Sequence, residues 1–128
     1  MKIESSPLTG VQIAEEVPAI AEILSANGIE DVIVSNGWGA GLTVDELWKP
    51  FHVKTRELAT FLNSSIGNGV FRPGNSDLFI EDEAKSFEFL LCHESDIHLK
   101  TENPKLIEQT AEHWAEKGYC RPENEVNS

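Results

Sequence analysis

Four potential metal ligands lie within one short segment of the chain, at His93, Glu94, Asp96 and His98. Imidazole nitrogens and carboxylate oxygens are donors with which proteins bind zinc and similar divalent ions. A metal site also needs its donors to converge on one point. Here the pattern places His93 in a turn and His98 on a strand, which favours a solvated turn with one surface histidine. The sequence therefore predicts no metal site, and nothing in it indicates a cofactor.

A glycine-rich segment, Gly37–Gly41, lies between a predicted strand and a predicted helix, the position at which dinucleotide-binding proteins hold phosphate. That fingerprint requires a further glycine three residues after Gly39, and the residue there is Leu42. No Walker lysine follows either. The sequence favours a flexible connection, or a hairpin turn at residues 36–37, over phosphate binding.

No serine, cysteine or acidic residue stands in a recognisable nucleophile motif, since GxSxG is absent and spacing assigns no base to either cysteine. Carboxylates that are adjacent in sequence, such as those at 15–16 and 81–83, are typical of solvated faces and turns. Cys92 and Cys120 form neither a CxxC pair nor a disulfide framework, which indicates free thiols in a reducing compartment. The sequence predicts that the protein is not an enzyme.

The elements that would position these side chains are clearest over residues 77–101, where apolar and polar residues alternate in three short runs. Alternation of this kind predicts a three-strand antiparallel meander. A four-residue turn at 82–85 would pair Leu78 with Phe89 and Ile80 with Phe87. A three-residue turn at 93–95 would set Glu88 opposite Lys100. The inward residues of the last two strands are then all apolar: Phe87, Phe89, Leu91, Ile97 and Leu99.

The opposite face of this meander combines acidic residues with two large apolar side chains, Phe79 and Leu90. Its other members are Asp77, Glu81, Glu88, Cys92, Asp96, His98 and Lys100. Layer packing predicts that the first helix or the loop at 66–76 covers this face. The alternative is an exposed apolar patch that binds a partner.

Helical periodicity, capping residues and breakers predict the remaining elements. In the first half of the chain these are a helix at 9–27 that Pro18 kinks or divides, a strand near 32–35, and a helix at 43–49 that begins with the capping box Thr43–Glu46. A helix at 53–65 and a loop at 63–76 follow, and the loop has a short strand signal at 70–72. The last helix runs from Asn103 to Gly118 and has Trp114 on its apolar stripe. The order predicts one α+β domain over residues 1–128, with helices on one face of a small, mostly antiparallel sheet and a frayed tail at 120–128.

Charge is the strongest compositional signal, because ten basic residues face twenty-two acidic ones in 128 residues, a net charge of −12. Such a field repels nucleic acids and anionic lipids and attracts basic proteins. No apolar run approaches the length of about 18 residues that spans a bilayer. The sequence predicts a cytoplasmic protein with a basic protein partner, and with neither a nucleic acid nor a membrane as partner.

One segment departs from this balance, because residues 51–75 carry three cations and one acid. Together with the predicted helices at 43–49 and 53–65 and the hairpin that follows, this pattern also fits a winged helix-turn-helix. DNA binding normally requires more positive charge than Lys54, Arg56 and Arg72 supply, because contacts to phosphate dominate affinity. The DNA-binding alternative is therefore the weaker one.

In size, acidity and α+β layout the chain resembles the small acidic immunity proteins with which bacteria neutralise toxins. The resemblance implies a protein-binding inhibitor of a basic partner such as a toxin. The alternatives are an adaptor or structural domain and, less strongly, a small enzyme with a pocket near Trp38 and the 63–76 loop. The predicted partner-binding residues all lie on the outward face of the meander: Phe79, Glu81, Glu88, Leu90, Asp96 and His98.

Overall fold

The computed structural model of the protein describes residues 1–121, which form one antiparallel sheet and three α-helices. Along the chain these elements are β1 (Lys2–Glu4), α1 (Gly10–Ala26), β2 (Asp31–Asn36), β3 (Phe51–Lys54), α2 (Leu58–Gly67), β4 (Leu78–Glu81), β5 (Phe87–Leu91), β6 (Ile97–Thr101) and α3 (Pro104–Lys117). The six strands lie in the order β1-β6-β5-β4-β2-β3. The predicted α+β class is confirmed.

The core lies between the helices and one face of the sheet, called here the inner face. Strand alternation directs every second side chain of β4, β5 and β6 into it, and the apolar stripes of the helices meet them there. Its fully buried members include Ile13, Leu24, Leu58, Leu62, Leu78, Ile80, Phe89, Ile97, Leu99, Leu106 and Trp114. Because all three helices contribute to this one cluster, the opposite face of the sheet, the outer face, carries none of them.

The ends of the first and last helices, α1 and α3, agree with the capping residues in the sequence. Thr9 and Gln12 form a capping box at the start of α1, and the helix continues through Pro18 without division. Asn103 caps α3 by accepting a hydrogen bond from the Lys105 amide, and Gly118 ends it in the left-handed conformation at φ 78°. None of the helices in residues 1–121 has the length and apolar content needed to cross a membrane.

The predicted register of the meander is confirmed in its second hairpin and wrong in its first. In the second, Glu88 lies opposite Lys100 and Leu91 opposite Ile97, as expected. In the first, Ile80 lies opposite Phe89 instead of Phe87, a shift of two residues. A shift of two preserves which side chains point inward, so the composition of each face is as predicted.

The turn between β4 and β5 explains the shift. Residues 82–85 do form a turn, closed by the Lys85 amide donating to the Asp82 carbonyl, and Lys85 adopts a positive φ of 55°. The Asp82 carboxylate then accepts the Ser86 amide at 2.7 Å, which removes Ser86 from the strand ladder. The first cross-strand pair is consequently Glu81 with Glu88, and the Lys85 ammonium, 3.5 Å from Glu81, offsets this like-charge contact.

The predicted helix at 43–49 is wrong. Only one hydrogen bond of the expected capping box forms, from the Thr43 amide to the Glu46 carboxylate. The Thr43 hydroxyl donates to the same carboxylate, and the Glu46 amide donates to the Thr43 carbonyl instead of the hydroxyl. They close turns only, because Trp48 adopts a left-handed φ of 68° and donates its amide to the Asn36 carbonyl at 2.8 Å. Pro50 then disfavours helix at residue 49.

The predicted helix at 53–65 begins too early. Residues 51–54 form the edge strand β3, which pairs with β2, and α2 starts only after the 3-10 turn Thr55–Glu57. A strand therefore stands where the second helix of a helix-turn-helix would begin. This arrangement excludes the winged-helix architecture for the segment.

Three further segments differ from the prediction in their backbone hydrogen bonds. Strand β1 was not predicted from the sequence, and it forms the edge of the sheet next to β6. Residues 70–72 are not a strand, because the amides of Val70 and Phe71 both donate to the Ser65 carbonyl. Cys120 and Arg121 were expected in the frayed tail 120–128. Cys120 instead forms an isolated bridge with Ser5, and Arg121 donates a hydrogen bond to the Ser5 carbonyl; residues 122–128 lie outside the described residues.

Candidate functional site

The outer face of the sheet gathers side chains from five neighbouring strands. By alternation they are Lys2 and Glu4 of β1, His98 and Lys100 of β6, Glu88 and Leu90 of β5, Phe79 and Glu81 of β4, and Ile33 and Ser35 of β2. The prediction that the first helix covers this face is wrong, because α1 packs on the inner face. The loop at 66–76 does not cover it either, since Phe71 at its centre belongs to the inner core.

Five of the six predicted partner-binding residues lie together on this outer face. Phe79 and Leu90 are cross-strand neighbours, and Leu90 lies opposite His98. Glu81 and Glu88 form the next cross-strand pair of β4 and β5. All five side chains are half-buried, which leaves part of each accessible to a partner.

Asp96, the sixth, was expected as a charge on the rim of the patch and is instead 5% exposed. Its Oδ2 accepts a hydrogen bond from the Arg121 guanidinium at 2.7 Å, and its Oδ1 lies 2.9 Å from His98 Nε2. Arg121 is 25 residues away in sequence, so the local strand pattern contained no sign of this partner. Asp96 holds internal contacts and cannot act as an exposed rim charge.

Two tryptophans stand at the end of the outer face where the segment 37–49 crosses it. The Trp48 ring lies 5.6 Å from the Phe79 ring and remains 57% exposed. It also packs on Gly37, where a Cβ atom would approach the ring to 2.5 Å, so only glycine allows this contact. Trp38, 63% exposed, lies 4.6 Å from the His93 ring. Trp48 was not predicted as a site residue from the sequence, because residues 43–49 were expected to form a helix, which would orient its side chain differently.

The charges on the outer face are mixed, which corrects the expectation of an acid-rimmed patch. Lys2 Nζ lies 3.3 Å from Glu4 Oε1 on the same strand, and Lys100 lies opposite Glu88. These cations arrive with β1 and β6 and offset much of the acidity of β4 and β5. The excess negative charge of the chain is therefore concentrated elsewhere.

Part of that charge surrounds a cleft of about 570 Å³ at the opposite end of the sheet from the tryptophans. The α1–β2 connection and the turn after β4 form its walls, and four carboxylates line it: Glu30, Asp31, Asp82 and Glu83. The lining also includes Ile33 and His52, from the outward side of β2 and β3. The cleft is therefore continuous with the outer face.

A second group of polar side chains lies near the tryptophan end, around Cys92. Asp77, Cys92 and Asp96 are outward-pointing residues next to strand ends, and all three are buried. The thiol lies 4.0 Å from His93 Nδ1, which in turn lies 2.8 Å from Asp77 Oδ1. On the other side of the sulfur, His98 contacts Asp96. Three of these residues, His93, Asp96 and His98, are possible ligands by sequence, but their spacing did not predict that they converge.

The Cys92–His93–Asp77 contacts resemble a nucleophile triad in composition but not in geometry. A base that activates a thiol must contact the thiol and its orienting carboxylate through different ring nitrogens. Here the same nitrogen, Nδ1, faces both groups. Burial also raises the pKa of the Cys92 thiol to about 11, and the hydrogen bond to Asp77 raises the pKa of His93. The thiol is thus protonated at neutral pH, opposite to what a nucleophile needs.

Two sets of three potential metal ligands share the Cys92 sulfur. They are Asp77, Cys92 and His93, and Cys92, Asp96 and His98, with the ligand atoms of each set within 4.8 Å of one another. Sulfur, imidazole and carboxylate donors in this mixture suit zinc rather than calcium or magnesium, which take oxygen ligands.

No family model matches this chain, and the comparisons with curated proteins and with solved structures found no similar protein.

Proposed function

We propose that the protein is a binding module that docks another protein on its outer face. The observation that supports this most directly is a sheet face on which none of the helices in residues 1–121 packs. On this face Phe79 and Leu90 are neighbours, and the Trp48 ring lies beside the Phe79 ring. Large aromatic side chains that remain exposed beside half-buried apolar ones are typical of interface centres, where tryptophan is enriched among the residues that dominate affinity.

The charge of the chain supports a basic partner. A protein of net charge −12 attracts a basic protein at long range, and the acidic cleft is a place where a cationic side chain of that protein can bind. A partner lying along the outer face would meet Trp48 and Phe79 at one end. At the other end it would direct an arginine or lysine side chain into the cleft between Glu30 and Asp82, where carboxylates can accept charge-assisted hydrogen bonds.

Within this class, the proposed role is that of an inhibitor or immunity protein that neutralises a basic toxin. Such a role needs an apolar anchor, complementary charge and no chemistry of its own. The outer face and the acidic cleft supply the first two. Cys92, the residue with the most reactive side chain near the outer face, is buried and protonated rather than poised for attack.

The experiment measures affinity and association rate for a basic protein encoded beside the gene, since inhibitors are commonly made with their targets. Trp48→Ala should weaken binding by about 30-fold, the equivalent of a hot spot of about 2 kcal/mol. Val11→Ala is the matched control, because Val11 is an equally exposed apolar residue, at 68%, on α1 at the opposite side of the molecule.

A variant with both Glu30→Lys and Glu83→Lys should slow association, and added salt should reduce the difference from the wild-type protein. If Trp48→Ala stays folded and binds as tightly as Val11→Ala, the outer face is not the interface. If neither salt nor the lysine substitutions change the association rate, the partner is not selected by charge.

A further inference from the structure

The second set of donors around Cys92 has the features of a prepared metal site. One ligand atom each of Cys92, Asp96 and His98 lies within 4.8 Å of the other two, next to the end of β5 and the start of β6. Asp96 Oδ1 and His98 Nε2, 2.9 Å apart, face each other within this set. Their arrangement is a consequence of strand geometry. Cys92 and Asp96 close the β5–β6 turn, since the Cys92 amide donates to the Asp96 carbonyl at 2.8 Å, and His98 follows Asp96 on the same side of the strand.

Each of the three donors is oriented by a further contact on its far side. His98 Nδ1, the nitrogen that would not bind the ion, lies 3.4 Å from Glu4 Oε1. A carboxylate in that position fixes the ring and favours a free lone pair on Nε2, as in the carboxylate–histidine–zinc arrangement. This contact exists only because β1 pairs with β6 and brings Glu4 opposite His98.

The other two donors are held in the same way. The Arg121 guanidinium donates to Asp96 Oδ2 at 2.7 Å, which leaves Oδ1 directed at the cluster. The Glu94 amide donates to Cys92 Sγ at 3.5 Å, a contact that stabilises negative charge on sulfur. All three donors thus have the outer support that metal ligands require, and it comes from separate parts of the chain: the N-terminal strand, the turn and the segment after α3.

We propose that Cys92, Asp96 and His98 bind one Zn²⁺ ion, with the thiol losing its proton to solvent as sulfur coordinates the metal. The ion replaces the contacts that now join the three donors, and solvent or a donor from outside the set fills the fourth coordination position. The ion would tie the β5–β6 turn to β1 and to the segment after α3 through Glu4 and Arg121. His98 also lies on the outer face opposite Leu90. Zinc binding is nevertheless tested on the protein alone, so its outcome and that of the proposed partner binding can be told apart.

Mixed sulfur, nitrogen and oxygen ligation identifies zinc as the ion to test. Thiolate and imidazole favour borderline-soft cations, whereas magnesium and calcium prefer oxygen alone. The other set, in which Asp77 and His93 accompany Cys92, competes less well for the same sulfur. His93 Nδ1 and the His93 amide both contact Asp77 Oδ1, at 2.8 and 2.7 Å, so binding there would break two short hydrogen bonds at one oxygen.

The experiment titrates ZnCl₂ into the full chain after treatment with a chelator and a reductant, using calorimetry, and repeats the titration with Co²⁺. We expect one ion per chain with a Kd below about 1 µM. Co²⁺ should produce the near-ultraviolet absorption band that only thiolate ligation gives. Cys92→Ser should abolish that band and weaken Zn²⁺ binding by at least about 100-fold, while Cys120→Ser, the matched thiol control, should change neither.

Variants of the two histidines separate the competing sets. His98→Ala should weaken Zn²⁺ binding by about 100-fold, Glu4→Gln by about 10-fold through the orientation of His98, and His93→Ala by much less. Loss of binding in His93→Ala but not in His98→Ala would overturn this ligand assignment. The absence of saturable binding near 1:1, or a Co²⁺ spectrum without a thiolate band, would overturn the site itself. If Cys92→Ser does not fold by circular dichroism, the wild-type Co²⁺ spectrum and the His98→Ala titration still decide the outcome.

Discussion

The two faces of the same three strands, β4, β5 and β6, have opposite physical roles. Phe89 on the inner face is 0% exposed, whereas Leu90, the next residue along β5, is half-exposed on the outer face. The inner side chains are enclosed by three helices and the outer ones by a single crossing segment. Burial on the inner face stabilises the fold, at about 25 cal/mol for each Å² of apolar surface. The outer side chains stay partly accessible in the described residues, and the proposed partner would bury them.

The two sides of the sheet each contain a buried carboxylate, and the two carboxylates have different contacts. On the helix side, Glu16 is 3% exposed, and its two oxygens contact Trp114 Nε1 at 3.1 Å and His113 Nε2 at 2.8 Å. Both partners belong to α3, so the carboxylate joins two helices. On the outer side, Asp96 contacts Arg121 and His98 beside a thiol. The Glu16 contacts join two helices in the core, whereas the Asp96 contacts lie next to the Cys92 thiol and form part of the proposed zinc site.

The largest expected effect tests the inner face. Trp114 is 1% exposed in the core, and Trp114→Ala should lower the free energy of unfolding by about 3–5 kcal/mol, because it removes a large apolar side chain and a hydrogen-bond donor to Glu16. Urea denaturation followed by circular dichroism measures this value. A loss below about 1 kcal/mol would show that the apolar stripe of α3 is not part of the core.

A smaller effect is expected at the buried carboxylate. Glu16→Ala leaves Trp114 Nε1 buried without an acceptor and should cost about 2–3 kcal/mol of stability, whereas Glu16→Gln keeps an acceptor and should cost less. The neighbouring Glu15 is exposed and provides the control, since Glu15→Ala should change stability by no more than about 0.5 kcal/mol. Equal losses for Glu15→Ala and Glu16→Ala would contradict a specific role for the Glu16 contacts.

At the outer face the loss should appear in affinity more than in stability. Phe79→Ala removes the side chain under Trp48 and should weaken partner binding by about 2 kcal/mol, mainly through faster dissociation. Melting temperature and partner affinity are measured on the same variant. If Phe79→Ala melts much lower but binds as tightly as the wild-type protein while folded, Phe79 belongs to the core and the proposed interface is wrong.

The smallest effect concerns a single charge. Glu81→Lys should slow association with a basic partner, and the change in activation free energy should be no more than about 1 kcal/mol. High salt should reduce the difference in rate between the variant and the wild-type protein. The folded protein should tolerate the substitution, because the change loses the exposed contact with Lys85 but replaces the like-charge pair with Glu88 by an opposite-charge pair. Glu108→Lys, the same charge change at an exposed position of α3, should slow association less; equal slowing would indicate that net charge alone attracts the partner.

Local signals explain which parts of the fold and site could be predicted. The caps of α3 and the alternation in β5 and β6 act over a few residues, so the helix bounds, the pair Glu88–Lys100 and the outward placement of Phe79 and Leu90 all followed from sequence. The first hairpin shows the limit of such reasoning. Its turn had the expected residues, but the Asp82 carboxylate captured the Ser86 amide and shifted the ladder by two positions.

The sequence by itself determined the class of fold, the identity of the two sheet faces and the strong negative charge, because these depend on local periodicity and on composition. Tertiary structure decided what covers the outer face, how Trp48 lies across Phe79, and that Asp96 is buried beside Cys92 and His98. The physical reason is that these features depend on contacts between distant segments. The Arg121 guanidinium reaches Asp96, and Glu4 reaches His98, only after the N-terminal strand and the segment following α3 have packed beside β6.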